Sequence, residues 1–398
     1  MTWPITILAD ECQVITKGTT PTSLGFAFSD AGAPFVRVRN LVDGSVSIEN
    51  DPLFIDLETH NALKRSKIYP GDLLISIAGT IGRTAIVPDN AEEMNCNQAV
   101  AIIRPRAQIN RRYLRYWLGS QEAINQITRG KVTATIANLS LSQIGALQVP
   151  VPPIEEQERI AAILDQADSL RRLRQRAIDR LNSLGQAIFY EMFVSDFEAA
   201  NWPVTTVAEL AEQTRTGPFG SQLLHSEFVD EGIAVLGIDN AVNNDFSWAK
   251  PRHITPEKYR DLKRYTVRPG DVLITLMGTC GRCAVVPYNI PLAINTKHLC
   301  CITLRQDIIL PEYLHSAFLQ HPNILKQLGV QAKGAVMPGL NMSIIRELEI
   351  VLPPMNIQRA YNERKMLIAS QLRSMLEHQA QLDTLFASSQ VRAFRGEL

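Results

Sequence analysis

Only a few residues in this 398-residue chain have types and spacings that could perform chemistry. Cys280-Gly281-Arg282-Cys283, followed by Cys300-Cys301, offers the Cys-x-x-Cys spacing that holds zinc or runs thiol exchange. Gly130-Lys131 looks like the end of a phosphate-binding loop, but Val132 stands where Ser or Thr is needed and the leading glycine is missing. The Pro-Pro pairs at 152–153 and 353–354 lack the flanking Asn/Asp and aromatic residue of an amino-methyltransferase site. No Gly-x-Gly-x-x-Gly follows a strand pattern, and the seven histidines show no His-Glu-x-x-His spacing. Catalytic and cofactor-binding residues are therefore not expected.

The cysteine motif loses its force because the chain carries the same stretch twice. Pro70–Pro88 (PGDLLISIAGTIGRTAIVP) and Pro269–Pro287 (PGDVLITLMGTCGRCAVVP) align at a constant shift of 199, with 12 of 19 positions identical. In the first copy Ile81 and Thr84 stand where the second has Cys280 and Cys283, so the fold is built without a metal. The shift also holds at Trp3-Pro4 against Trp202-Pro203, and has drifted only to 201 at the Pro-Pro pairs. A period this long marks two whole domains, since solenoid repeats span 20–50 residues.

Each copy reads as a mixed α+β domain. The elements that must position any site recur in order. A Gly-containing loop (Lys17-Gly18-Thr19-Thr20; Thr216-Gly217-Pro218-Phe219) precedes a short apolar run with a polar tip (Phe35–Asn40; Val235–Asn240). A Pro-Gly-Asp turn then launches a hairpin, Leu73–Ala78 and Arg83–Val87, closed by Gly-Thr-x-Gly. A β-rich run at Ala99–Ile103 leads into a helical stretch with Tyr113, Trp117, Ile124 and Ile127 at helix spacing. Pro-Pro then halts the domain, because proline fixes φ and restricts its predecessor. A long helix follows each copy. Ile160, Leu164, Ala167, Leu170, Ala177, Leu181, Leu184 and Ile188 mark the first; Ile368, Leu372, Met375, Gln379, Leu382 and Phe386 mark the second at alternating steps of four and three. That alternation is a coiled-coil seam, and the two helices are expected to pair antiparallel, placing the domains at opposite ends of a rod. The expected boundaries are 1–150, 151–196, 197–352 and 353–398.

Forty basic and forty acidic residues leave no net charge, which excludes nucleic-acid binding by bulk electrostatics alone and leaves local patches open. No apolar run approaches a membrane span, and six irregularly placed cysteines suit reduced thiols in the cytoplasm.

The order of these features, repeated twice and closed by Arg392-Ala393-Phe394-Arg395-Gly396-Glu397-Leu398, resembles the specificity subunit of Type I restriction–modification systems. The resemblance implies two target-recognition domains, each reading half of a bipartite site in double-stranded DNA. It implies long helices that act as a ruler and as a docking surface for two methyltransferase (M) subunits. Those partners bind S-adenosylmethionine, flip an adenine and methylate N6; two restriction (R) subunits can join them to cleave. The chain itself would catalyse nothing. The alternative is a coiled-coil scaffold that binds only proteins.

Under this resemblance the residue types that read bases or grip phosphates become candidates. On the Gly-containing loops they are Lys17, Thr19 and Thr20, then Phe219, Ser221 and Gln222; an ordinary surface turn is the plainer reading. At the polar tips they are Arg37, Arg39 and Asn40, with Asn240 in the second copy. Arg83 and Arg282 recur beside Gly-Thr-x-Gly and serve either phosphate binding or a structural salt bridge. Asn97 and Gln98, then Asn295, Lys297 and His298, precede β-rich runs. Lys131, Thr133 and Thr135, with Lys333 opposite, occupy a small-residue loop. The basic run Arg171, Arg172, Arg174, Arg176 and Arg180 is a solvated helix face or a docking surface for partner or DNA.

Overall fold

The computed structural model describes residues 3–49, 51–128, 138–195, 201–248, 250–329 and 339–398. These form two compact units, Met1–Ala177 with Met375–Leu398, and Ile178–Ser374.

The Pro-Gly-Asp turn sets the architecture of each unit. Its glycine has positive φ (80° at Gly71, 79° at Gly270), which turns the chain tightly into a buried strand, Leu73–Ser76 or Val272–Thr275. Four consecutive buried residues in each strand mean that both faces are covered. In the first unit this strand pairs antiparallel with Thr84–Ile86 and Val100–Pro105, and the latter with Cys12–Lys17. The second unit repeats the arrangement with Cys283–Val285, Leu299–Leu304 and Ala211–Thr216. The hairpin read from sequence is thus present in both.

A second small sheet lies in each unit. It centres on a parallel pair, Ala33–Val36 with Met94–Cys96 and Ile233–Leu236 with Ala293–Asn295. Helices cover the other face of the larger sheet. The helical stretch of the first unit is two helices, Arg111–Leu118 and Gln121–Thr128, with Gly119 ending the first. On the first helix Trp117 is buried in the sheet core and Tyr113 against the long helices, while Ile124 on the second is 40% exposed.

The long helices run Ile154–Tyr190 and Met355–Arg395. They are antiparallel within each unit. In the first, Arg159 donates to Leu398 O at 3.1 Å and Arg171 pairs with Asp383 at 2.6 Å. In the second, Gly185 faces Ile368, and Phe193 packs edge-on to Tyr361. The second helix keeps its seam: Ile368, Leu372, Met375, Gln379 and Leu382 are half-buried and Phe386 is buried. The first departs from the expected one, since Leu170 and Leu184 are 57% and 47% exposed. Arg171 and Ile178 take seam positions instead, the Arg171 guanidinium lying 4.4 Å from the centre of the Phe386 ring. Its aliphatic stem covers apolar surface while its charge meets Asp383. Arg172 likewise pairs with Asp168 and donates to Asp43 O, so part of the basic run is spent inside the unit.

Sequence reading overlooked the bolt that fastens each helix to its sheet domain. Gln157 and Gln358, four residues after the Pro-Pro pairs, are wholly buried. Gln157 accepts from Asn110 N (2.8 Å) and donates to Gln108 O and Pro152 O. Gln358 accepts from Leu310 N (2.8 Å) and donates to Ile308 O and Pro353 O. Both N–H groups and the carbonyl of each buried amide are thus matched to loop backbone.

Candidate nucleic-acid interface

Three of the loops singled out from sequence meet at one turn in each unit. The turn spans Asn97–Ala99 in the first and Thr296–His298 in the second, between the short parallel strand and the long central strand. Asn97 N donates to Val36 O (3.1 Å), tying the turn to the polar-tip loop, and Thr296 N donates to Leu236 O (2.9 Å) in the same way. Ile77 N donates to Ala99 O and Leu276 N to His298 O, both at 2.8 Å, which brings in the strand that enters Gly-Thr-x-Gly. The Gly-containing loop completes the set: Thr19 N donates to Cys96 O (2.9 Å), and Gly217 N to Thr296 O (3.3 Å).

The glycine of that loop is required by close approach. A Cβ at Gly18 would stand 2.1 Å from Cys96 O, and one at Gly217 would stand 2.0 Å from Asn295 O. By contrast Gly79, Gly82, Gly278 and Gly281 have φ between 70° and 88°, which is the turn role.

In the second unit these loops border an open cleft of about 830 Å³. Pro218, Asp239, Arg252, Thr279, Lys297 and His298 are among its lining residues. Asp239 and Arg252 pair across it. Burial, and then the neighbouring Lys297 charge, lower the His298 pKa, so the ring is neutral at pH 7 and both donates and accepts. Arg252 was not anticipated. It lies in a stretch with no counterpart motif, and only folding brings it opposite Asp239.

The family model for the Type I restriction modification DNA specificity domain matches residues 2–183 and again 201–364. The chain belongs to this family. It is 23% identical to the Type I restriction enzyme EcoBI specificity subunit of Escherichia coli, over 98% of this chain and 85% of that one. It is 22% identical to the putative Type I restriction enzyme MjaX specificity subunit of Methanocaldococcus jannaschii, over 91% and 85%. Among solved structures, a chain from a study of complex assembly and conformational transition in a type I R-M system superposes with a TM-score of 0.61 at 20% identity, covering 100% of this chain and 98% of that one. The S subunit of the Type I restriction–modification system of M. genitalium gives 0.51 at 15% identity, covering 99% and 96%. At these identities the structural likeness is one of fold.

Within this specificity fold the candidates separate into surface and interior. Lys17 is exposed at the end of its strand, Thr19 and Thr20 are half-buried beside the turn, and Gln98 is exposed on it. Phe219 is 54% exposed, and Ser221 and Gln222 are exposed, the Gln222 side-chain carbonyl accepting from Tyr265 Oη at 2.8 Å. Arg39 is exposed and Arg37 half-buried, and both pair with Asp51 at 3.1 and 2.7 Å. Among the described residues neither Arg83 nor Arg282 makes an ion pair. Three asparagines are interior, which corrects their placement at the surface. Asn40 and Asn240 are buried, and their side chains accept from Arg37 N (2.8 Å) and Gly237 N (2.9 Å) and donate to Ser47 O and Ser247 O. Asn295 is fully buried and donates to Leu299 O. These amides bond the backbone of their own loops. Asn97 is half-buried. Lys131, Thr133, Thr135 and Lys333 lie outside the described residues.

Cys300 and Cys301 are adjacent on one strand and pack into different cores, because successive strand residues face opposite ways. They do not converge on one metal. Burial pushes the Cys300 thiol up to about 12.

Proposed function

We propose that the chain recognises a bipartite DNA sequence as the non-catalytic subunit of a Type I restriction–modification complex. It would direct adenine-N6 methylation by two partner M subunits and cleavage by partner R subunits. The observation that carries this reading is the turn at Asn97–Ala99 and Thr296–His298. Equivalent backbone bonds to the polar-tip and hairpin strands hold it in both units, yet the side chains it offers differ. Two readers of one design and different surface chemistry suit a site with two unlike halves. Phosphate contacts would come from Lys17, Arg83 and Arg282, and base contacts from Gln98, Lys297 and His298. The neutral net charge agrees if partner subunits share the grip on DNA. A cytoplasmic location follows from this reading.

The test is to co-express the chain with its cognate M subunit and map N6-methyladenine across the host genome. One bipartite motif with a fixed gap is expected. Exchange of residues 1–150 for those of another specificity chain changes only one half. A soluble complex that methylates nothing would refute the proposal and favour a protein scaffold.

A further inference from the structure

We propose that the second residue of the turn, Gln98 in the first unit and Lys297 in the second, selects one base pair in each half-site. Gln98 selects an A·T pair and Lys297 a G·C pair. This rests on the DNA-recognition reading above and assigns the chemistry of its site.

The two positions are structurally equivalent. Each follows a residue whose backbone N–H is bound by the polar-tip strand, and each precedes a residue whose carbonyl accepts from the hairpin strand. The Gly-containing loop packs beneath both at a distance only glycine allows. The backbone at this point is therefore rigid, and a change of side chain changes the chemistry presented without moving its base.

The chemistry differs in a way that matches base edges. Thr20 Oγ1 donates to Gln98 Oε1. That bond sets the amide plane, leaves Nε2 free to donate and leaves Oε1 a second lone pair to accept. A donor beside an acceptor is the complement of adenine N7 and N6 in the major groove. Lys297 carries donors only, which suits the two acceptors of guanine, N7 and O6. Among the described residues it has no ion pair to hold it back. The equivalent of Thr20 is Phe219, which cannot donate. An ammonium is a point charge that needs no orienting hydroxyl. Thr20 is thus a positioning residue, needed only where the reader is a planar amide.

The chain co-expressed with its M subunit is read out by genome-wide N6-methyladenine mapping. Gln98→Lys is expected to replace A·T by G·C at one position of one half-site, with discrimination on the order of tenfold or more. Lys297→Gln is expected to make the reverse change in the other half, and Lys297→Arg to keep G·C. Thr20→Val should relax the same position that Gln98→Lys alters, while the complex still co-purifies. Wild-type cells lacking any bipartite motif would refute the DNA reading itself. A wild-type motif that persists in Gln98→Lys and Lys297→Gln, with methylation weakened evenly, would make these residues phosphate contacts and overturn this assignment alone.

Discussion

The two units solve one buried-charge problem with opposite strands. Asp72 and Asp271 end the Pro-Gly-Asp turns, and both are about 1% exposed. Each accepts a backbone bond from three residues earlier, at Tyr69 N (2.9 Å) and Arg268 N (2.8 Å). In the first unit Arg104, from the central strand, pairs with Asp72 through two bonds of 2.7 Å. In the second, the residue at that place is Thr303, and the arginine comes from the neighbouring strand as Arg215, where the first unit has Thr16. Thr303 fills the remaining aspartate oxygen at 2.7 Å. Arginine and threonine have traded places, and the aspartate stays neutralised. At this pair of scaffold positions one change is matched by a second, because an unpaired buried charge costs several kcal/mol. At the turn, where Gln98 stands against Lys297, the change leaves no buried charge unpaired.

This contrast can be broken most severely at the aspartates. Asp271→Ala leaves Arg215, 6% exposed, without its charge partner, and should cost about 3–5 kcal/mol. Asp72→Ala should cost less, about 1–3 kcal/mol, since Arg104 is 28% exposed and reaches water. Equal losses in denaturant unfolding would deny that the two pairs differ in burial. Next come the glutamine bolts, where the units are alike. Gln157→Leu and Gln358→Leu each strand three backbone groups and should each cost about 1–3 kcal/mol, by the same measurement. A large asymmetry between them would contradict the shared design.

A further effect separates the units by pH. His315 Nδ1 lies 3.2 Å from Lys365 Nζ, while Nε2 meets Asn244 O and Cys283 O at 2.9 and 3.1 Å. The lysine must donate, so Nδ1 is unprotonated. Burial, then the Lys365 charge, lowers the histidine pKa from 6.5 to about 4. Between those values the unfolded chain binds a proton that the native unit does not. Stability is therefore complete above pH 6.5 and falls by about 1.4 kcal/mol for each pH unit below it, down to about pH 4. The first unit has Tyr116 at this place, which stays protonated throughout that range. Hydrogen exchange should show the second unit loosening first on acidification, and His315→Asn should flatten the difference.

The Gly-Thr-x-Gly hairpin, the Pro-Pro helix starts and most of the seam were legible because local rules govern them: positive φ, a fixed proline φ, and heptad spacing. Leu170 and Leu184 misled because periodicity marks apolar residues. It does not mark an arginine stem, such as that of Arg171, that covers the seam as well as a leucine would. Asn40, Asn240 and Asn295 misled for the converse reason. A polar residue beside a turn can satisfy the loop's own backbone as readily as it can face a ligand. By itself the sequence determined the duplication, the order of elements and the family, because repetition and spacing survive along a chain. Only the tertiary structure decided which loops share a turn, which strand supplies the arginine to each aspartate and which amides face outward. The first two are contacts between residues tens of positions apart, and no local rule encodes them.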